Sequence, residues 1–186
     1  MKKFFRLIHV LIVSLLPLAI FAQQWDPLVT EKIAALESAQ WTKRATFTEP
    51  GWVADYNLTY QRMAWQVDPA VRYISGAITS CFTSEAATLE TLRFDLKSNM
   101  QVDSVKGRPG HLLFIHENDL LTIWLGDPLP AGSSDSVTVY YRGEPLRSGF
   151  GSFETRLHGD VPIMWTLSEP YGALEWWPCK QSLADK

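Results

Sequence analysis

The sequence has little of what metal, redox and phosphate sites are usually built from. Its 186 residues include two cysteines and four histidines, and no Cys-x-x-Cys pair occurs. His116-Glu117 begins the H-E-x-x-H pattern, which sets two zinc-binding histidines one helical turn apart with a glutamate base between them. Leu120 stands where the second histidine belongs, and the surrounding residues read as strand and turn. His111, His116 and Glu117 are therefore expected to be surface hairpin residues, and neither metal ligands nor catalytic groups are assigned in this chain. There is no G-x-S-x-G elbow. The glycine-rich stretch Gly143 to Gly151 is not followed by Gly-Lys-Ser/Thr, so a phosphate cradle is not expected. A surplus of positive charge is also missing: 17 Lys and Arg against 20 Asp and Glu give a net charge of −3. Nucleic-acid binding, which leaves a basic patch or stripe, is not expected. No repeat, low-complexity tract or charge block appears.

What is present is apolar and aromatic. Hydrophobic residues make up 46% and aromatic residues 12%, with 8 Trp, a composition that suits strands and large packing surfaces. The first 22 residues read as a signal peptide. Lys2, Lys3 and Arg6 form the positive start, Leu7 to Ile20 the apolar run, and Ala19-Ile20-Phe21-Ala22 a small-x-small site cut after Ala22. That run is short for a bilayer span of about 20 residues, so no stable membrane anchor is expected. The expectation is a soluble, mildly acidic protein that is secreted or periplasmic. In an oxidising compartment Cys81 and Cys179 are free to bridge. Two readings stay open: a disulfide, or two unpaired and partly buried thiols.

Residues 23–50 read as a helical leader and linker. Asp26 suits a cap, Pro27 a first helical position, and Val29, Ile33, Leu36 and Gln40 follow at helical spacing. Glu49-Pro50-Gly51 is a turn. From Trp52 the period becomes two. Tyr56, Leu58 and Tyr60 alternate, then Met63, Trp65 and Val67 alternate in the opposite phase, which predicts a bulge or a change of buried face. Further strands are expected around Ile74–Phe82, with Gly76 at a close approach, then at Leu92–Leu96 and Val102–Val105. A hairpin over Leu112–Ile115 and Leu120–Leu125 turns at Glu117-Asn118-Asp119 and closes at Gly126-Asp127-Pro128. Strands at Val137–Tyr141, Phe150–Thr155 and Val161–Leu167 complete roughly eight or nine, with no helix between them to make a βαβ unit. The fold class expected is mainly β: an antiparallel, saddle-like β-sandwich over 51–170 with a short N-terminal helix. Residues 171–186 read as the start of a linker.

The end of the chain carries the chemistry. Trp165-Thr166-Leu167-Ser168-Glu169-Pro170-Tyr171-Gly172-Ala173 leads into Glu175-Trp176-Trp177-Pro178-Cys179-Lys180. A strand ending in Ser-Glu-Pro can present the Glu169 carboxylate at a sheet edge, where it could pair with an ammonium group. The residues alone favour the plainer reading, in which Glu169 caps or turns the chain and the tryptophans fill a core.

Thr166-x-x-Glu169-Pro170-x-x-Ala173 followed by Pro178-Cys179 resembles the end of the amino-terminal domain in the aminopeptidase N family, where many members read T-Q-x-[QE]-x-x-x-A-R-x-x-F-P-C-x-D. Leu167, Leu174 and Trp177 depart from that pattern. They resemble instead exported bacterial members carrying W-T-L-S-E-P-Y-G-A and W-W-P-C-K. Asp55-Tyr56 through Val67-Asp68-Pro69, and Ser148-Gly149-Phe150-Gly151-Ser152-Phe153, resemble that subgroup too, so the likeness spans about residues 50 to 186. The resemblance implies a saddle-like β-domain followed by a thermolysin-like catalytic domain that holds zinc through H-E-x-x-H and a downstream Glu. Those segments are not in this chain, which is expected to be cut before them and inactive alone. The implied reaction removes the N-terminal residue of a peptide substrate. The implied role of Glu169 is to bind that substrate's free α-amino group. Trp176 and Trp177 are implied to pack at the seam between domains, and Cys179 to be structural. Two other readings compete: a non-catalytic exported β-sandwich that binds peptide or glycan, and a docking module of a larger surface protein.

Overall fold

The computed structural model describes residues 30, 31, 34, 35, 37, 38, 42, 47–147, 152–168 and 171–182. The signal-peptide reading of residues 1–22 lies outside them, as do most of the leader and residues 148–151. Two compact units are present, Met1–Ala35 and Leu36–Lys186. In the first, Thr30, Glu31, Ala34 and Ala35 are helical and exposed. In the second, Glu37, Ser38 and Thr42 are helical, and the Thr42 hydroxyl donates to the Ser38 carbonyl at 3.0 Å. No helix among the described residues is long and apolar enough to cross a membrane.

The second unit is mainly β and antiparallel. A short 3-10 turn, Gly51–Asp55, leads into β1 (Tyr56–Asp68), β2 (Val71–Ser84), β3 (Thr88–Asp95), β4 (Met100–Gly107), β5 (Gly110–His111), β6 (Phe114–Glu117), β7 (Leu120–Pro130), β8 (Ser134–Gly143), β9 (Phe153–His158) and β10 (Val161–Thr166). They form a five-stranded sheet in the order β1-β2-β8-β4-β5, a three-stranded sheet β3-β7-β6, and the hairpin β10-β9. The first two sheets bury alternate residues against each other. Ile74, Ile78 and Phe82 of β2 and Val137, Val139 and Tyr141 of β8 face Leu92, Phe94, Leu121 and Ile123 of the smaller sheet, all buried in one cluster. Tyr56 joins the two layers. Its ring meets Phe82 and Phe94 edge-on, and its hydroxyl donates to the Arg93 carbonyl.

The change of phase in β1 is a bulge. Leu58 pairs with Phe82 and Tyr60 with Cys81, leaving Thr59 as the extra residue. Tyr56 and Leu58 before it, and Met63, Trp65 and Val67 after it, therefore face the same side. Gly76 is the expected close approach. It lies between Trp65 on β1 and Tyr141 on β8 in one row across the sheet. The indole crosses the space its side chain would fill, and Trp65 Nε1 donates to the Tyr141 hydroxyl at 3.0 Å. A Cβ at Gly76 would stand 2.7 Å from Trp65 Cδ1.

The hairpin between β6 and β7 turns at Asn118 and Asp119, both at positive φ (51° and 63°), the backbone of a tight type I′ turn. β7 does not stop at Gly126-Asp127-Pro128, as the sequence suggested. It continues to Pro130, because a wide register shift between the pairs Leu89–Leu129 and Thr91–Trp124 absorbs those residues. Pro128 thus sits where the ladder needs no N–H. β9 runs to His158, beyond the expected end at Thr155.

Candidate functional site

The segment that carries Glu169 emerges from β10. Glu169 and Pro170 themselves lie outside the described residues; the residues on either side are fixed. Leu167 N–H donates to the Ser152 carbonyl at 3.2 Å, and Gly172 N–H closes a turn onto the Ser168 carbonyl at 2.7 Å. The Ser168 hydroxyl accepts from Trp176 Nε1 at 3.2 Å. Glycine at 172 allows a close approach. A Cβ there would lie 2.2 Å from Ser152 Oγ, 3.0 Å from Ser152 Cβ and 3.1 Å from the Leu167 carbonyl. Rotating the serine hydroxyl would relieve the first contact and leave the other two. The ends of the Ser168–Gly172 loop are thus anchored to the chain that enters β9.

Below that loop is a cluster of aromatic rings. Trp176 packs on Trp65 at 4.9 Å, Phe153 at 5.9 Å and Trp177 at 6.2 Å between ring centres. Its backbone carbonyl accepts from the Tyr141 hydroxyl at 2.9 Å. Tyr141 thus accepts from Trp65 and donates to Trp176. Burial pushes its pKa above the usual phenol range, with the Trp65 bond working weakly against that shift. Trp176 is buried inside this β unit, which corrects the expectation that it waits at a domain seam.

The stretch 171–182, read from sequence as the start of a linker, is tied to the sheets. Asp95 and Cys179 exchange backbone hydrogen bonds at 2.7 and 3.0 Å, and Lys97 N–H donates to the Leu174 carbonyl at 2.8 Å. Lys180 Nζ donates to the Tyr56 carbonyl at 2.6 Å and lies 4.5 Å above the Tyr56 ring. Tyr171 stacks on Phe47 at 4.1 Å. Cys179 and Cys81 are both free thiols. Burial, then the charge of nearby Asp95, pushes the Cys179 thiol well up and keeps it protonated, which suits packing rather than nucleophilic chemistry. Asp95 is itself raised by burial, partly offset by the Gln181 N–H that its carboxylate accepts.

One group of residues here went unread in the sequence. Arg72 lies on β2 in the buried phase of Ile74, Ile78 and Phe82, and forms a buried ion pair with Glu154 of β9 at 3.0 Å. Its other nitrogens donate to the carbonyls of Pro145 at 2.8 Å and Leu146 at 2.6 Å. The signal was available: an arginine two residues before Ile74 in a strand of period two must face the core and needs an acid there.

The histidines stand apart from this region. His116 is on β6 with Nε2 2.9 Å from the Leu96 carbonyl, and His111 is exposed on β5. His116-Glu117 therefore lies on a strand entering a turn, not on a helix. Among the described residues no three His, Cys, Asp or Glu side chains are placed to hold a metal ion. These residues do not fit a zinc site.

No family model and no curated protein matches the sequence. Solved structures do match the fold. A two-domain M1 zinc metallopeptidase variant with bound L-arginine superposes with a TM-score of 0.62 at 19% identity, covering 70% of this chain and 30% of its own. The M1 zinc metallopeptidase of Deinococcus radiodurans gives 0.59 at 20% identity over the same shares. Leukotriene A4 hydrolase of Saccharomyces cerevisiae gives 0.57 at 16% identity, covering 71% of this chain and 22% of that enzyme. The chain has the fold of one part of these metallopeptidases, and the match spans less than a third of their length.

Proposed function

We propose that this chain is the amino-terminal β-domain of an exported aminopeptidase N-like zinc metallopeptidase, and that it supplies Glu169 to the substrate's terminal amine. The fold match to M1 zinc metallopeptidases carries the reading. The anchored loop supports the role of Glu169. Leu167 N–H is bonded to the Ser152 carbonyl and the Ser168 hydroxyl to Trp176 Nε1, so the chain leading up to Glu169 is anchored, the support that a binding group needs. An exopeptidase has to tell a terminal ammonium from an internal amide. A carboxylate does so through a charge-assisted hydrogen bond that the amide cannot replace.

In this reading zinc belongs to a thermolysin-like catalytic domain of the same parent, and this chain contributes no ligand. When bound there, the metal would supply an activated water and polarise the scissile carbonyl. The β-domain holds the amine, fixes how deep the peptide enters, and alone does not cleave. The proposed site of action is outside the cytoplasm, after cleavage of the signal peptide at Ala22.

An antibody raised against residues 51–168 tests the parentage in the producing cells. The expected result is an extracytoplasmic polypeptide much larger than the 21.1 kDa of this chain. It should carry aminoacyl-nitroanilide hydrolysis that a chelator abolishes, while the purified chain shows none. A product no larger than this chain and devoid of peptidase activity would overturn the proposal.

A further inference from the structure

β1 is the long open edge of the molecule. Among the described residues it pairs with β2 alone. The other outer strands are shorter: β5 has two residues, β6 four, β9 and β10 six each, and β3 eight with a bridge to Cys179 at its Asp95 end. An edge strand presents a row of unpaired N–H and C=O groups, which proteins usually blunt with lysine, proline, bulges or a cover. After the Thr59 bulge, β1 has no proline and no lysine from Tyr60 to Asp68 and keeps a continuous register with β2 as far as Val67. Met63 and Val67 are exposed on one face, and Arg62, Ala64, Gln66 and Asp68 on the other.

We infer that β1 pairs antiparallel with β1 of a second copy, joining two five-stranded sheets about a twofold axis at Trp65. The side-chain pattern selects this occupant and this register. With Trp65 facing its own copy, Met63 stands opposite Val67 and Arg62 opposite Asp68, each pair occurring twice by symmetry. Apolar then meets apolar and the only two charges of the segment meet each other. Moving the axis to Ala64 sets Val67 against Gln61 and separates the charges. Arg62 makes no ion pair within the chain among the described residues. Asp68 uses Oδ1 to accept from Ala70 N–H at 2.9 Å and keeps a second oxygen for Arg62 of the other copy. Opposite charges directly across an antiparallel ladder stabilise it, and like charges there oppose it. This inference is independent of the peptidase reading.

Sedimentation velocity of the full chain over a range of concentrations tests it. The unaltered chain is expected to form a dimer. Arg62→Asp sets acid against Asp68 at both ends and is expected to weaken dimerisation by about tenfold or more. The double variant Arg62→Asp/Asp68→Arg is expected to restore it, because the swapped charges meet again. All these side chains are exposed, so the variants should fold, which circular dichroism checks. A chain that stays monomeric throughout, or a dimer indifferent to Arg62→Asp, or a double variant no better than the single one, would each overturn the pairing.

Discussion

The sandwich of β1 to β8 and the segment from β9 to residue 182 are held by different means. In the sandwich, alternate apolar residues of two sheets bury one another. Its central members, such as Ile78, Leu92 and Ile123, have no accessible surface. The energy there is spread over many contacts, and losing one methylene costs about 1 kcal/mol. The later segment has few strand pairs and relies on specific polar bonds: Arg72 with Glu154, Tyr141 with Trp65 and Trp176, Asp95 with Cys179, and Ser168 with Trp176. Such bonds are expensive to leave half made. The difference shows how polar bonds between distant residues tie a later segment to a sandwich whose core it joins only in part, through Phe153 and Trp176.

The largest difference between the two regions is expected from Arg72→Met. It leaves the Glu154 carboxylate buried without its partner, and a loss of about 3–5 kcal/mol is expected from such a change. Adding Glu154→Leu should recover part of it, which a core residue of the sandwich would not show. Urea unfolding midpoints at unchanged slope measure both. Next in size is Tyr141→Phe. It removes the acceptor for the Trp65 N–H and the donor for the Trp176 carbonyl, at an expected cost of about 1–3 kcal/mol. The same melts read this, and near-ultraviolet circular dichroism should show the Trp65–Trp176 contact loosen while far-ultraviolet signal stays.

The smallest effects are electrostatic and have opposite signs at two acids of the sandwich, one in its hairpin and one where it meets the later segment. Asp119, in the sandwich hairpin, is opposed by burial but ends below its ordinary pKa through bonds from Lys97, the Ser98 N–H and the Ser98 hydroxyl. A depressed acid stabilises the fold above its unfolded pKa, about 4, and that stability is lost as pH falls through the folded value. Asp95, beside Cys179, is raised. Its ionisation therefore costs stability, a cost that sets in as pH rises through the unfolded value and is complete above the folded one. Asp119→Asn should lower the melting temperature at pH 7 and matter less as the pH is brought down below about 4. Asp95→Asn should do the reverse at pH 7, raising it slightly. Thermal melts over that pH range, compared between variants, decide the signs.

The sandwich was largely legible because period-two burial is local. The reversed phase after Tyr60 left a bulge or a change of buried face, of which the bulge at Thr59 is the one present; Gly76 announced a close approach, and Glu117-Asn118-Asp119 marked the hairpin. Strand order was not legible: β8 lies between β2 and β4, and nothing near Val137 or Val102 in the sequence says so. Gly126-Asp127-Pro128 read as a stop because a wide bulge and a turn share the same residues. The later segment was less legible for a physical reason. Its fixings join residues far apart in the chain, such as Arg72 to Glu154 and Asp95 to Cys179. A tryptophan pair in sequence looks the same whether it awaits a partner or fills a core. Glu169 was singled out by resemblance and by its place after a strand, and what the structure adds is the fixing of Ser168 and Gly172 around it.

In the proposed function the Glu169 carboxylate meets a free amine, and steady-state kinetics of the proposed full-length parent test that most directly. Glu169→Ala should raise KM for a free-amine aminoacyl substrate by about tenfold or more, the worth of one charge-assisted bond, with Glu169→Gln falling between. Michaelis constants unchanged in both variants, with cleavage intact, would contradict it.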